Sequence, residues 1–147
     1  MPLSMYAEVP PADWRPTWRT YTVGLALVLL VVGTVVAGVL VPYSANGLHR
    51  VPLGEVANGA YDPKDLWPST SGPTGALVRT AGLLSLLFGW PVVALIGVVT
   101  VLGLWQRRGH SGRADLVVGV TVVVLAAAHS AFWLSPWGQP LFTWALD

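Results

Sequence analysis

"LVVGVTVVVLAAAHSAFWL", Leu116 to Leu134, decides the fold: 19 residues without a charge, bounded by Asp115 on one side and Pro136 on the other. The hydrocarbon core of a bilayer is about 30 Å thick, so a helix that crosses it needs roughly 20 predominantly apolar residues. The run is rich in β-branched residues, yet it is too long for a buried strand of roughly 4 to 8 residues. In lipid a helix also satisfies its own backbone. Two further stretches pass the same test. "YTVGLALVLLVVGTVVAGVLV", Tyr21 to Val41, is uncharged and is expected to stop at Pro42. "TAGLLSLLFGWPVVALIGVVTVLGLW", Thr80 to Trp105, lies between Arg79 and the pair Arg107 and Arg108.

Composition agrees with membrane residence. The chain of 147 residues is 54% hydrophobic and 10% charged, where a soluble domain carries about 25% charged residues. Its net charge of +1 includes no basic patch of the kind that binds nucleic acid. Cysteine is absent, which excludes disulfides, thiolate metal sites and cysteine nucleophiles. One lysine, Lys64, stands against seven arginines, a bias that matches GC-rich bacterial coding and points to a bacterial cytoplasmic membrane.

The expected organisation is therefore an all-α integral membrane protein with three transmembrane helices. Residues 1–20 form a proline-rich irregular segment, 21–41 the first helix and 42–79 an irregular loop without a core of its own. Residues 80–105 form the second helix, kinked near Pro91. Residues 106–115 form a short loop, 116–134 the third helix and 135–147 an interfacial tail. The 21-residue apolar core of the first helix exceeds the roughly 7 to 15 residues of a signal peptide, so it reads as an uncleaved anchor. Arg15, Arg19, Arg107, Arg108 and Arg113 flank one side of the membrane; Arg50, Lys64 and Arg79 flank the other. The positive-inside rule then puts the N-terminus in the cytoplasm and the 42–79 loop and C-terminus outside. Trp14 and Trp18, interleaved with Arg15 and Arg19, suit an inner headgroup belt.

Few side chains can carry chemistry. His129 is a titratable ring inside a span; five residues short of Leu134, it lies roughly 7 to 8 Å below the outer edge of the apolar layer. An ionisable residue at that depth is a functional hypothesis with a partner to be named. Haem ligation, a quinone hydrogen bond and a proton relay are the functional readings. A hydrogen bond to Ser85, at matching depth, to a backbone carbonyl or to a neighbouring subunit is the structural one. A bis-histidine haem requires a second histidine, and only His49 or another copy's His129 would be on the right side.

His49, Glu55, Asp62 and Asp65 match no metal-ligand spacing. Arg79, Trp137, Phe142 and Trp144 are expected to touch lipid or a partner at the outer interface. Gly33 with Ala37, Thr34 with Gly38, and the glycines Gly82, Gly89, Gly97 and Gly103 provide small-residue spacing for close helix approach. No nucleophile elbow, phosphate-binding glycine loop or HExxH motif is present. The expected function is a non-catalytic accessory or structural subunit, in contact with the bilayer and with other integral membrane subunits or copies of itself. No cofactor is expected on this reading. The alternatives are a redox protein holding haem or quinone at His129, and a small transporter or channel component gated at Pro91.

Overall fold

The computed structural model describes residues 17–107 and 111–147. Trp14, Arg15, Arg108 and His110, and most of the 1–20 segment, lie outside them. Among the described residues the chain is all-helical, without strands. Three helices are long and apolar enough to cross a membrane: α1 (Trp18–Ala45), α3 (Pro73–Gln106) and α4 (Arg113–Leu134). Two shorter helices, α2 (Leu53–Ala57) and α5 (Gly138–Leu146), lie in the 42–79 segment and the tail.

Helix ends depart from the apolar runs. The first helix does not stop at Pro42 but continues to Ala45. A π turn, Val36–Leu40, precedes this proline, and a second π turn, Ser85–Gly89, precedes Pro91 in α3. Proline in an α-helix removes one hydrogen bond and presses its ring on the carbonyl four residues back. A wider turn just ahead moves that carbonyl aside, so the helix passes through its proline. The second helix begins at Pro73 rather than Thr80, which puts Arg79 within it. At 1.5 Å per residue the three helices are about 42, 51 and 33 Å long, all sufficient for the roughly 30 Å core.

Two hydrophobic clusters hold the bundle. Val28 of α1, Val93 of α3, and Val122 and Ala126 of α4 form the mid-span core. Toward the other end, Val35, Val39, Leu86 and Trp133 join Leu48 and Val56 of the 42–79 segment and Leu141, Trp144 and Ala145 of α5. The 42–79 segment has no core of its own but shares this one with the tail, which forms a short helix with Leu141, Trp144 and Ala145 buried. The 42–79 segment and the tail fold over the helix ends as one cap.

Local chemistry explains why an irregular sequence forms this cap. Asn46 donates its side-chain amide to the carbonyls of Pro42 and Trp67 at 2.8 Å each, tying the segment's start to its end. Asp62 caps the Pro63–Asp65 turn by accepting the Lys64 N–H at 2.8 Å. Gly47 and Gly59, with φ of 75° and 76°, supply left-handed turns that other residues adopt at a cost. Trp144 donates its Nε1–H to the Tyr61 carbonyl at 2.8 Å and packs edge-on against Tyr43 at 5.8 Å.

Among the three long helices, α1 and α3 bring their backbones together at a pair of glycines. A Cβ built on Gly38 would lie 2.6 Å from the Gly82 Cα, and one built on Gly82 would lie 2.7 Å from the Gly38 Cα. Gly33, by contrast, has open space around it. The small-residue spacing thus works through Gly38 and Gly82, and also through Gly89 against Val31 and Gly97 against Ala126, while Gly33 takes no part.

Candidate functional site

His129 sits on α4 one turn before Trp133, so both rings leave the same face of the helix. Their centroids are 6.2 Å apart in an edge arrangement. Together with Phe132 they form one wall of a groove of about 160 Å³, whose other wall is Val32, Val35, Val36 and Leu40 of α1. Phe132 and Phe142 meet Trp133 edge-on at 4.9 and 6.5 Å and fix its ring.

The polar atoms of this pair are orphaned. His129 Nε2 and Trp133 Nε1 are both buried and neither has a hydrogen-bond partner among the described residues. The expected bond from His129 to Ser85 does not form. The Ser85 hydroxyl is engaged by Thr34: the two hydroxyl oxygens are 2.6 Å apart across the α1–α3 crossing, and with the Thr34 proton turned to its own helix's carbonyls the Ser85 hydroxyl donates. That pair joins the two helices about one turn from the Gly38–Gly82 contact, at a place where each helix enters its π turn. Hydrogen bonds between membrane helices contribute about 0.6 kcal/mol on average, so Thr34 and Ser85 set the register of the crossing more than its strength.

The other sequence-derived candidates scatter. His49 is exposed on the Leu48–Arg50 turn, and Glu55 is exposed on α2. Asp62 pairs with Lys64 at 3.6 Å. Its hydrogen bond from the Lys64 backbone N–H holds the carboxyl below the usual range. Among the described residues no group of three or more His, Asp or Glu side chains is placed to hold a metal ion. Trp144, expected at the lipid or partner interface, is 2% exposed and anchors the cap; this is a correction. Phe142 is half-buried, and only Trp137 of the three aromatics stands out, at 67% exposure. Arg79 is half-buried at the foot of the cap.

Two features escaped the sequence reading. Trp133 was hidden among belt aromatics, although its four-residue spacing from His129 placed it on the same face. At the opposite end, Arg107 pairs with Asp115 at 3.2 Å, and Asp115 also accepts the Gly112 N–H at 3.1 Å to cap α4. Tyr21 of α1 is buried near them, with its hydroxyl unbonded among the described residues. This cluster clamps the ends of α1, α3 and α4.

The fold and the groove define a class, an all-helical protein with three helices suited to cross a membrane. Comparison with known proteins takes the assignment no further: no protein family, no curated protein and no solved structure matches the chain.

Proposed function

We propose that this chain is a non-catalytic accessory subunit of a larger integral membrane assembly, and that the groove between α1 and α4 receives a transmembrane helix of its partner. The observation that carries the reading is the orphaned pair His129 Nε2 and Trp133 Nε1 at the groove wall. No water in the hydrocarbon core pairs such groups, and each one left unsatisfied destabilises the protein. A helix laid in the groove brings a side-chain or backbone acceptor that half-buried His129 meets by a small turn of its imidazole, while the Trp133 ring stays enclosed by Phe132 and Phe142.

The groove's volume separates this reading from its rivals. Pockets for cofactors and drug-sized ligands measure roughly 300 to 1,000 Å³, and this one measures about 160 Å³. That space suits the side chains of a partner helix better than haem or a quinone ring. We assign the chain to a bacterial cytoplasmic membrane with the cap outside. The arginine bias supports that orientation, five basic residues against three.

Purification of the full chain in mild detergent, followed by mass spectrometry, tests the reading. A stoichiometric larger membrane partner is expected with wild type and lost with Val36→Trp, which fills the groove from its exposed rim. Elution of the chain alone, or equal recovery with Val36→Trp, contradicts it. A haem absorption band that disappears with His129→Leu would establish the redox alternative instead. The cysteine-free chain also makes orientation readable: Asn58→Cys is expected to react with a membrane-impermeant maleimide on intact cells and Ala114→Cys is not, and the reverse pattern overturns the orientation.

A further inference from the structure

The cap leaves a second concavity where it meets α3. Its volume is about 330 Å³, and its lining includes Lys64, Arg79, Thr80, Leu83, Leu146 and Asp147. Arg79 makes no hydrogen bond or ion pair among the described residues. Lys64, its neighbour in the cavity, is already engaged by the Asp62 carboxylate and the Asp147 carbonyl oxygen. The Asp147 carboxylate is likewise unpaired among the described residues. The cavity is thus lined by a cation without a hydrogen bond, Arg79, which also lies within electrostatic reach of the Asp62 carboxylate, and by Asp147, whose side-chain carboxylate lies beside Gly59 and makes no hydrogen bond or ion pair among the described residues.

Thr80 adds a donor. Thr22, Thr34, Thr100, Thr121 and Thr143 each turn the hydroxyl back to the carbonyl four residues earlier in their helices. Thr80, also within a helix and next to Arg79, makes no such bond among the described residues.

Depth and surroundings identify the ligand. Arg79 and Arg107 are 28 residues apart on one helix, about 42 Å at 1.5 Å per residue. That is comparable to the roughly 40 to 45 Å of a bilayer with its headgroup regions included, so with Arg107 in one headgroup region Arg79 falls in the other. Below it on the same helix face, one and two turns on, Leu83 is half-buried and Leu87 is exposed, a path for an acyl chain.

We propose that this cavity is a phospholipid headgroup site, in which Arg79 and the Thr80 hydroxyl hold the phosphate and the Asp147 carboxylate faces the ammonium of a phosphoethanolamine lipid. A guanidinium matches phosphate with paired donors, which strengthens the contact over a neutral hydrogen bond. A carboxylate in the same cavity disfavours headgroups that carry no cation.

Native mass spectrometry of the delipidated full chain, titrated with phosphatidylethanolamine, phosphatidylglycerol or inorganic phosphate, tests the site. Wild type is expected to retain phosphatidylethanolamine in preference to phosphatidylglycerol. Arg79→Gln is expected to lower retention about tenfold, the size of a lost charge-assisted hydrogen bond. Arg79→Lys is expected to restore part of it, and Arg50→Gln, the same charge change elsewhere on the cap, to retain lipid as wild type does. Asp147→Asn is expected to abolish the preference. Equal retention by Arg79→Gln and wild type overturns the site. Displacement of the lipid by inorganic phosphate at matching concentration overturns its assignment to a lipid. Equal binding of the two lipids by wild type overturns the assigned headgroup. If Arg79→Gln and Asp147→Asn instead destabilise the lipid-free chain equally, the two residues are an ion pair and the proposal fails.

Discussion

Gly82→Val is expected to destabilise the bundle by about 3 kcal/mol, the upper end for overpacking a filled interior. The cause is the absence of anything that can give way. A Cβ at this position meets the Gly38 Cα at 2.7 Å and the Gly38 carbonyl carbon at 3.0 Å, backbone rather than a flexible side chain. The helices must separate, and separation also breaks the Thr34–Ser85 hydrogen bond. Without a hydrophobic drive between helices in lipid, close van der Waals packing is the main force that such a displacement removes. Gly33→Ala is the internal control, since nothing lies within 4 Å of the added Cβ. Thermal or denaturant unfolding in detergent separates the two. A Gly82→Val chain as stable as Gly33→Ala would show that α1 and α3 do not cross at these glycines.

Trp144→Ala is the second large effect, about 3 to 5 kcal/mol for truncating a fully buried tryptophan. The indole is 2% exposed, donates to the Tyr61 carbonyl and packs against Tyr43, so its loss uncouples α5 from the 42–79 segment and from α1. The expected result is selective: residues 46–72 become sensitive to protease and their amides exchange quickly, while α1, α3 and α4 keep their protection. Trp137→Ala, at a residue 67% exposed, is expected to change neither. A cap that resists protease after Trp144→Ala would mean the loop is held by its own turns and not by the tail.

How far the structure could be read from the sequence follows from which forces are local. The three spans are legible because length and apolar continuity are properties of single segments, and they alone meet the demands of a bilayer. Their ends are not. Pro42 reads as a stop, and only a π turn ahead of it, stabilised against a neighbouring helix, lets the chain continue. Arg79 reads as a boundary because it is charged, yet its helix begins at Pro73, six residues earlier. The cap is the least legible part: Leu48, Val56, Leu141 and Trp144 come from two segments far apart in sequence, and neither has enough apolar residues to suggest a core alone. Around the candidate site, His129 announced itself as a polar ring in an apolar run. Its neighbour Trp133 and the diversion of Ser85 to Thr34 depend on how helices face each other, which no single segment records.

The central claim is that a partner helix occupies the groove between α1 and α4, and site-specific photocrosslinking in the native membrane tests it most directly. A photoreactive residue in place of Phe132, on the groove wall, is expected to give one defined crosslink to a transmembrane segment of another polypeptide. The same probe in place of Leu95, on an exposed face of α3 away from the groove, is expected to give lipid adducts only. Lipid adducts alone from position 132, or the same protein crosslink from both positions, would contradict the account.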